Sequence, residues 1–517
     1  MTDSAIVRRY LAQAGADKVD LGALGFFTTL DQLRGSTPEI AASIVRELVD
    51  QRSNVKLIAS ENYCSLAVQA AQGTLLTDKY AEGYPGHRFY AGCDNVDDIE
   101  ARAAGLATDL FGADYAYVQP HSGADANLVA FLAILATTVE SPALERLGQK
   151  NVSNVDFADW QKLREELHNQ RLLALDYYSG GHLTHGYRHN VSSRLFEAHS
   201  YAVNRETGLI DLRALRDQAR ELRPRILLAG YSAYPRLINF AEMRSIADEV
   251  GATFMVDMAH FAGLVAGKVM TGDYDPVAHA HVVTTTTHKT LRGPRGGMVL
   301  CTSEYADAVS KGCPAILGGP LSHVMAAKAV AFQEASQVAF VHYAQSIVRN
   351  AAHLAQALVE RGVSVVTGGT DNHLLLVDVA KTYGLTGRQA ESAVRACGLT
   401  VNRNSLPFDA NGPWYTSGLR LGTPATTTLG MGPAEMTEIA ELLVLVLGAT
   451  QAEAGSDGAP SKAKFRTDPA AVAQAQERVA ALLSSHQVYP EIDLGLVEPA
   501  EFGLTSFARP AADTEAR

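Results

Sequence analysis

The sequence predicts an α/β protein with a large domain built on a mostly parallel sheet and a smaller α+β domain. Short β-branched runs alternate with helical stretches from about Lys56 to Phe340, as in "RILLAG" before "FAEMRSIADEVG". This alternation is typical of strands that helices cover on both faces. The chain has 517 residues, of which 47% are hydrophobic and 19% are charged, so it can bury a large core.

Patterning along the chain predicts the domain boundaries. Residues 1–55 carry apolar residues at helical spacing and are expected to form a helical arm before the large domain of residues 56–340. Residues 341–450 are expected to form the smaller domain. Residues 451–517 begin with a stretch rich in Gly, Pro, Ser and Lys, which predicts a linker, a terminal helix and a polar tail. A polar stretch from about 139 to 170 predicts a surface insertion.

Composition argues against several classes of function. The net charge of -12 and the lack of a basic patch argue against nucleic acid as a partner. No segment is expected to approach the roughly 20 uncharged apolar residues that cross a bilayer, and the N-terminus lacks the apolar core of a signal peptide. We therefore expect no membrane partner and a cytoplasmic protein. The scattered cysteines favour free thiols over disulfides, and no metal is expected; they are Cys64, Cys93, Cys301, Cys313 and Cys397.

The stretch "VQPHSGADAN" follows a predicted strand and precedes a helix that is expected to begin near Ala126. In open α/β sheets, ligands bind beyond the carboxyl ends of the strands. The backbone N–H groups of Ser122, Gly123 and Ala124, with the helix dipole behind them, would form a cradle for an anion. A tight turn capped by Ser122 or Asp125 is the alternative.

Asp257 ends the apolar strand of "MVDMAHFAGL". A carboxylate at this position is costly to bury without a cationic partner, although it could also cap a following helix. His260 is near enough in the chain to line the same crevice. A lone histidine there is more often structural than catalytic.

The stretch "HVVTTTTHKTLRGPRGG" places Lys289 after a strand and before glycines that allow a close backbone approach. An isolated lysine is usually a surface residue, but a buried one has a lowered pKa and becomes a nucleophile. An anion cradle, a strand-end carboxylate and a lysine together fit pyridoxal phosphate. The cradle would hold its phosphate, Asp257 would keep its ring nitrogen protonated, and Lys289 would form the Schiff base. The threonines before the lysine would offer hydroxyls to the phosphate.

Arg420, in "YTSGLRLGTPATT", is predicted to lie between glycine-flanked turns of the smaller domain. An arginine can bind a carboxylate through two parallel hydrogen bonds, as an amino-acid substrate would require. A surface ion pair is the alternative.

These motifs occur in longer strings that resemble the serine hydroxymethyltransferase family. The resemblance covers roughly Leu57 to Leu445 and implies a fold-type-I pyridoxal-phosphate enzyme with a mostly parallel seven-stranded sheet. It also implies reversible transfer of the hydroxymethyl group of serine to tetrahydrofolate, which gives glycine and 5,10-methylenetetrahydrofolate. Several strings are long, so the resemblance is more specific than a short motif. They are "LIASENY", "KYAEGYPGHRFYAG", "VQPHSGADAN", "GGHLTHG", "VDMAHFAGLVA", "VVTTTTHKTLRGPRGG", "GGTDNHLLLVD", "VNRNS" and "TSGLRLGTPA".

The resemblance implies roles for residues around the cofactor. Lys289 would carry the cofactor, Asp257 would face its ring nitrogen and His182 would stack on its ring. Thr286 and His288 would support the surroundings of the lysine. The remaining cofactor contacts would be Ser122, Gly123 and Ala124 at the phosphate, Ser232 and His260 near the phenolic oxygen, and Tyr80.

The resemblance also implies residues that bind the substrate. Arg420, with Ser60 nearby, would hold the substrate carboxylate, and Glu82 would transfer protons. In this family Tyr80, Glu82 and Tyr90 come from the neighbouring subunit, so a homodimer or a dimer of dimers is implied. The expected partners are otherwise small molecules, namely serine, glycine and folate.

The sequence departs from the family pattern in several places. Residues 139–170 replace a short turn, and Ala124 replaces a serine in the cradle. "CPAILGGPLSH" stands where a segment like "FPGGQGG" is expected, and "GPWYTS" stands where an "SPF"-like folate contact is common. One alternative is therefore a folate-independent aldolase or transaldolase for β-hydroxy amino acids, or an enzyme specific for α-methylserine. Another is a scaffold homologue without activity, although the retained lysine, carboxylates and arginine count against it.

Overall fold

The computed structural model describes residues 4–15, 18–455 and 458–507, so residues 508–517 of the predicted tail lie outside the described residues. The strands are, in chain order, β1 (Val55–Lys56), β2 (Gly83–Tyr84), β3 (His87–Arg88), β4 (Tyr115–Tyr117), β5 (Arg171–Leu175), β6 (Glu197–Tyr201), β7 (Ile226–Gly230), β8 (Thr253–Asp257), β9 (Val282–Thr286), β10 (Gly297–Cys301), β11 (Leu374–Asp378), β12 (Leu399–Thr400), β13 (Asn402–Asn404), β14 (Gly418–Gly422), β15 (Thr450–Ala454) and β16 (Pro460–Thr467).

The α-helices are, in chain order, α1 (Ala5–Ala14), α2 (Leu21–Ser36), α3 (Pro38–Ser53), α4 (Leu66–Gln72), α5 (Asp94–Phe111), α6 (Gly123–Leu135), α7 (Ser141–Arg146), α8 (Phe157–His168), α9 (Ser192–Leu195), α10 (Leu212–Leu222), α11 (Phe240–Val250), α12 (Ala262–Ala266), α13 (Pro276–His279), α14 (Ala306–Ser310), α15 (Ser322–Ala335), α16 (Val338–Glu360), α17 (Val379–Tyr383), α18 (Gly387–Ala396), α19 (Gly412–Tyr415), α20 (Pro424–Thr428), α21 (Pro433–Gly448) and α22 (Pro469–Ser484).

A seven-stranded sheet with the order β4-β10-β9-β8-β7-β5-β6 forms the centre of the protein. The strands from β6 to β9 are parallel, whereas β10 is antiparallel to both β9 and β4. Every residue of β7, β8, β9 and β10 is buried. Side chains alternate between two cores, because Phe254 and Val256 belong to one apolar cluster and Met255 to the other. The predicted α/β class and mostly parallel seven-stranded sheet are confirmed.

Residues 123–146 form a helical stretch that is long and apolar enough to cross a membrane, judged by length and composition alone. The expectation that no segment approaches this length is therefore wrong. However, 56% of its most apolar window is buried inside the protein. Val129 and Ile134 pack against the sheet in the same cluster as Met255. The apolar composition thus reflects a core helix.

A three-stranded antiparallel sheet, β11-β14-β13, lies in a second core with α16, α18 and α21. The terminal helix α22 packs into the same core through Val479 and Leu483. Strand β1 pairs with β12, so the chain near residue 55 also contributes here. The boundary expected between residues 340 and 341 falls inside α16. Helices α1 to α3 pack against residues near the C-terminus, including Val488 and Phe502.

The segment predicted as a linker contains a β-hairpin, formed by β15 and β16. Strand β16 alternates exposed and half-buried residues, and α18 binds its backbone. Gln389 Nε2 donates to the Ser461 carbonyl at 2.7 Å, and Thr386 Oγ1 donates to the Lys462 carbonyl at 2.8 Å. Glycine, serine and aspartate favour hairpin turns as well as linkers, so composition alone did not reveal the strand pairing.

Candidate active site

The candidate active site lies at the carboxyl edge of the large sheet. Parallel strands end at the same edge, so β7, β8 and β9 place Gly230, Asp257 and Thr284 side by side in register. The ends of these strands and the segments that follow them carry six of the predicted site residues, namely Ser232, Asp257, His260, Thr286, His288 and Lys289.

Asp257 is only 6% exposed and accepts three hydrogen bonds. Its Oδ2 accepts from Asn127 Nδ2 at 2.9 Å and from His185 Nε2 at 3.0 Å, and its Oδ1 accepts from the Ala259 N–H at 3.0 Å. Burial alone would raise the pKa of this carboxyl, but the hydrogen bond from His185 holds the pKa well below its usual range. Asp257 is therefore an ionised carboxylate. It is not a helix cap, because α12 begins only at Ala262.

His185 is a buried partner of Asp257 that sequence analysis missed. Its Nδ1 accepts the backbone N–H of His182 at 3.2 Å. A neutral ring therefore carries its proton on Nε2, which donates to Asp257. The available signal was the second histidine of "GGHLTHG". Its spacing does not distinguish a carboxylate partner from a structural histidine.

His182 presents a neutral ring to the same crevice. Burial lowers the pKa of His182 to about 4, although the charge of Asp257 opposes this effect. Its Nδ1 lies 2.7 Å from Thr184 Oγ1, which accepts from Asn127 Nδ2, also at 2.7 Å. The side-chain donor atoms of His182, His185 and Asp257 all lie within 4.8 Å of one another, as in a metal site. Here these groups belong to one hydrogen-bonded chain that ends on the carboxylate.

Lys289 is half-buried in the crevice, close to Asp257 and Arg420. Burial lowers the pKa of Lys289 to about 8, against the opposing charge of Asp257. Its main-chain carbonyl accepts from Asn62 Nδ2 at 2.9 Å, and the same amide donates to the Tyr343 hydroxyl at 2.8 Å. Asn62, in "LIASENY", is a second residue that sequence analysis did not single out. The lysine thus has a fixed backbone and an amine that deprotonates in the mildly basic range.

Arg420 lies in the middle of strand β14, so its predicted place between turns is wrong. Its Nε donates to Asn402 Oδ1 at 3.1 Å, and its Nη1 donates to the main-chain oxygen of Ser232 at 2.6 Å. Among the described residues, no carboxylate oxygen lies within 4.0 Å of the guanidinium. Burial lowers the pKa of Arg420 to about 10, so the group is still charged at neutral pH. It is a cation beside Lys289 that has no carboxylate partner in the described part of the chain.

Glycines beside Arg420 allow the chain segment around Ser60 to approach. A Cβ on Gly422 would lie 2.4 Å from the Cα of Ala59, and the Gly422 N–H donates to the Leu57 carbonyl at 2.8 Å. Strand β14 therefore packs against residues 57–59, and Ser60 follows directly. The backbone of Ala59 occupies the space of a side chain at Gly422, and the Leu406 side chain does so at Gly418.

The predicted anion cradle forms the beginning of α6. The helix begins at Gly123, earlier than the predicted Ala126, and the N-cap Ser122 accepts from the Asp125 N–H at 3.1 Å. The first N–H groups of a helix have no partner within it, so those of Gly123 and Ala124 are available to an anion. Ser122 therefore caps the helix through the Asp125 N–H, and this cap does not use the N–H groups of Gly123 and Ala124.

The threonine hydroxyls bind protein carbonyls, so the prediction that they bind a phosphate is wrong. A hydroxyl has one hydrogen, and a carbonyl oxygen can only accept it. Thr286 donates to Ala259 at 3.0 Å, which fixes the end of β9 against the segment after β8. The other hydroxyls are committed in the same way: Thr284 donates to the Asn127 side chain, Thr285 to the Thr286 carbonyl and Thr287 to the Pro294 carbonyl.

Gly123→Ala is expected to lower the free energy of unfolding by about 1–3 kcal/mol, because it overpacks the cradle. A Cβ at Gly123 would lie 2.6 Å from Thr286 Cγ2. Gly105→Ala is the matched control, since Gly105 is exposed on α5 with no neighbour within 4 Å, and a gain of about 0.5–1 kcal/mol is expected. Denaturant unfolding measures both changes. Equal stabilisation by both substitutions would contradict the close contact at the cradle.

Further histidines around the crevice are neutral as well. His260 Nδ1 and His373 Nε2 lie 3.2 Å apart and are buried. Burial lowers the pKa of His373 to about 3 and moves the pKa of His260 strongly in the same direction, with help from Lys289 and Arg420. Burial also lowers the pKa of His288 to about 3. His260 and His288 were predicted site residues, whereas His373 was missed.

Glu82, Tyr80 and Tyr90 form a separate and more exposed cluster. The hydroxyls of Tyr80 and Tyr90 donate to Glu82 at 3.4 Å and 3.2 Å, and the two tyrosines are 57% and 45% exposed. The segment "CPAILGGPLSH" lies beside them, because a Cβ on Gly319 would be 3.4 Å from the Tyr80 ring. Within the described part of a single chain, no hydrogen bond joins this cluster to Lys289.

The amine of Lys289 and the carboxylate of Asp257 lie at the carboxyl edge of the large sheet, and the guanidinium of Arg420 on β14 lies close to Lys289. The fold and this site together define an α/β enzyme. The serine hydroxymethyltransferase family model matches residues 33–145 and 150–443, and the chain belongs to this family. A serine hydroxymethyltransferase of Treponema pallidum is 58% identical over 95% of this chain and 86% of its own length. Those of Mycolicibacterium smegmatis and Chlamydia muridarum are 58% and 48% identical, over 93% and 95% of this chain and 97% and 99% of their own lengths.

Proposed function

We propose that this enzyme transfers the hydroxymethyl group of serine reversibly to tetrahydrofolate, with pyridoxal phosphate held on Lys289. The observation that carries this proposal is the crevice itself. It combines an amine whose pKa is lowered to about 8, an ionised carboxylate and a guanidinium that has no carboxylate partner among the residues that the structure describes. Family membership over most of the chain supports the same reaction.

The residues present fit the proposed cofactor. The free N–H groups of Gly123 and Ala124 suit its phosphate, and the ionised Asp257 suits a protonated ring nitrogen. A buried Nδ1 on His288, next to Lys289 in the chain, has no hydrogen-bond partner among the described residues, as expected near a polar ligand. When bound, pyridoxal phosphate would supply an electron sink for the pair of electrons left on the substrate α-carbon.

The protein's own groups would position the substrate and move its protons. Arg420 would bind the substrate carboxylate and so determine which bond of the α-carbon is aligned for cleavage. Asp257, held by His185 and Asn127, would keep a proton on the ring nitrogen. Glu82, supplied by the neighbouring subunit, would exchange a proton with the hydroxyl of serine.

Borohydride reduction of the protein loaded with pyridoxal phosphate tests the covalent site. Peptide mapping is expected to place the label on Lys289, and Lys289→Ala is expected to abolish it. Lys162→Ala is the control, because the side chain of Lys162 is 73% exposed. A label on another residue would refute the assignment.

Assays with and without tetrahydrofolate test the acceptor. Cleavage of serine is expected to require folate, with formation of 5,10-methylenetetrahydrofolate equal to that of glycine. Cleavage at the same rate without folate would favour the aldolase alternative. Absence of both label and turnover would favour a scaffold.

Covalent attachment of pyridoxal phosphate to the cofactor-free enzyme is expected to accelerate with pH through a midpoint near 8. Only the neutral amine attacks, and burial lowers its pKa from 10.5 to about 8. The same shift means that protonated Lys289 lowers the free energy of unfolding below pH 8. This destabilisation disappears as the pH rises from 8 to 10.5. Stopped-flow absorbance measures the rate. A midpoint near the ordinary lysine value would contradict the buried amine.

We also propose a homodimer in which Glu82, Tyr80 and Tyr90 complete the partner's site. Their exposure and their separation from Lys289 within one chain support this arrangement. Mixing inactive Glu82→Gln and Lys289→Ala subunits is expected to restore about a quarter of wild-type activity, because half of the dimers are mixed and each has one intact site. Mixing Lys289→Ala with Arg420→Met is the control and should restore none, since both residues serve their own chain's site. Equal recovery in the two mixtures would contradict the arrangement.

The proposed location is the cytoplasm, with small molecules rather than nucleic acid or a membrane as partners. The net charge of -12 and the free thiols of all five cysteines support this proposal.

A further inference from the structure

Lys328 is a fully buried lysine outside the crevice. It lies on α15 and is 1% exposed. Its Nζ donates to three main-chain carbonyls, those of Val118 at 2.5 Å, Pro120 at 3.0 Å and Gly297 at 2.8 Å. An ammonium has three N–H bonds, so every donor is used. Among the described residues, no carboxylate oxygen lies within 4.0 Å of Nζ.

Burial of this charge is costly. Moving an ammonium out of water costs several kcal/mol even after relaxation, and an apolar side chain of similar volume would pack without this cost. Burial also lowers the pKa of Lys328 to about 7, although the charge of Glu100 opposes the shift. Packing alone therefore does not explain a lysine at this position.

The carbonyls around Nζ belong to the two segments that form the crevice. Val118 and Pro120 lie between β4 and the cradle residue Ser122. Gly297 is the first residue of β10 and directly follows residues 287–296, the Lys289 loop. The N–H of Gly297 also donates to the Pro120 carbonyl at 2.9 Å. The ammonium thus joins the anion cradle to the loop that carries the reactive lysine.

The last two glycines of "GPRGG", Gly296 and Gly297, are required by this junction. A Cβ on Gly296 would lie 2.6 Å from Lys328 Cε, and a Cβ on Gly297 would lie 2.1 Å from the Ser122 carbonyl oxygen. The sequence predicts that these glycines allow a close backbone approach. The groups that approach are the buried lysine and the cradle backbone.

We propose that the Lys328 ammonium occupies a carbonyl-lined cation site that holds the anion cradle against the Lys289 loop. Lys328 is then a positioning residue for the phosphate of pyridoxal phosphate. This inference rests on the proposed function, because it assumes that a phosphate binds the cradle. Carbonyl oxygens can replace the hydration shell of a small monovalent cation, so an added alkylammonium should substitute for the missing side chain.

Cofactor binding to the cofactor-free protein tests this inference. Lys328→Ala is expected to raise the Kd for pyridoxal phosphate by about tenfold or more. The Kd for pyridoxal, which lacks the phosphate, should rise by less than about twofold. Ethylammonium chloride should restore most of the loss. Tetramethylammonium chloride at equal ionic strength should not, because it has no N–H group. Lys328→Met should lose the same affinity for pyridoxal phosphate, but ethylammonium should not restore it, since the methionine side chain fills the space. Lys162→Met is the control at an exposed position.

The possible results separate this inference from the proposed function. Equal loss of both ligands, or a lower melting temperature with unchanged affinity for pyridoxal phosphate, would make Lys328 purely structural and overturn the inference. Failure of Lys328→Ala and Lys328→Met to fold, even when produced with ethylammonium, would overturn it too. A wild-type protein that does not bind pyridoxal phosphate would reject the proposed function itself.

Discussion

Asp257→Asn is expected to lower kcat/KM for serine by about 10²–10⁴-fold, which corresponds to about 3–5 kcal/mol for removing one partner of a buried charged pair. A neutral amide does not stabilise a proton on the cofactor ring, so the electron sink would be weakened. The loss should appear mainly in kcat, because Asp257 does not contact the substrate carboxylate. Steady-state kinetics with the cofactor in excess separates this effect from weaker cofactor binding.

The same substitution is expected to lower the free energy of unfolding by about 1–3 kcal/mol. Both oxygens of Asp257 accept hydrogen bonds, with Oδ2 serving Asn127 and His185 and Oδ1 serving the Ala259 N–H. An amide has only one oxygen, so a buried donor would lose its acceptor. Asp217→Asn is the control, because the side chain of Asp217 is 67% exposed on α10. Wild-type kcat in Asp257→Asn would contradict its proposed role.

The carboxyl-edge rule explains why part of the site could be predicted from sequence. Asp257 ends one buried strand, Lys289 follows the next, and Ser122 follows another strand of the same sheet. Recognising these strands was therefore enough to predict that the motifs lie at one edge. This inference needs only local pattern and one property of parallel sheets. The seven-stranded sheet came from the family resemblance rather than from counting strands.

Contacts between distant segments could not be predicted in the same way. Asn62 binds the Lys289 carbonyl across 227 residues of sequence, and Asn127 binds Asp257 across 130. The side chains of asparagine and histidine suit many environments, so their types alone do not indicate a partner. The wrong prediction for the threonine hydroxyls has the same cause. Thr286 donates to the Ala259 carbonyl, and only the folded chain brings the end of β9 near the segment after β8.

Arg420→Met is expected to raise the KM for serine and to lower kcat/KM by about 10²–10³-fold. Among the described residues no carboxylate oxygen lies within 4.0 Å of this half-buried guanidinium, so the substrate carboxylate would be its main counter-ion. Leaving a carboxylate in the crevice without its partner costs about 2–5 kcal/mol, and each 1.4 kcal/mol corresponds to a factor of ten. Amines without a carboxylate should react at the same rate with wild type and with Arg420→Met. This result would identify the lost interaction as the one between Arg420 and the substrate carboxylate.

Arg420→Lys should fall between wild type and Arg420→Met, because lysine retains the charge but cannot form two parallel hydrogen bonds. It should also lose one of the contacts that hold the guanidinium, since Nε binds Asn402 while Nη1 binds the Ser232 carbonyl. Arg213→Met, at an exposed position on α10, controls for the loss of positive charge elsewhere. If serine KM were unchanged in both Arg420 variants while cofactor binding was intact, the carboxylate would have to bind elsewhere. Because Arg420 lies in a strand anchored between β11 and β13, a shifted substrate rather than a shifted arginine would then be the simplest explanation.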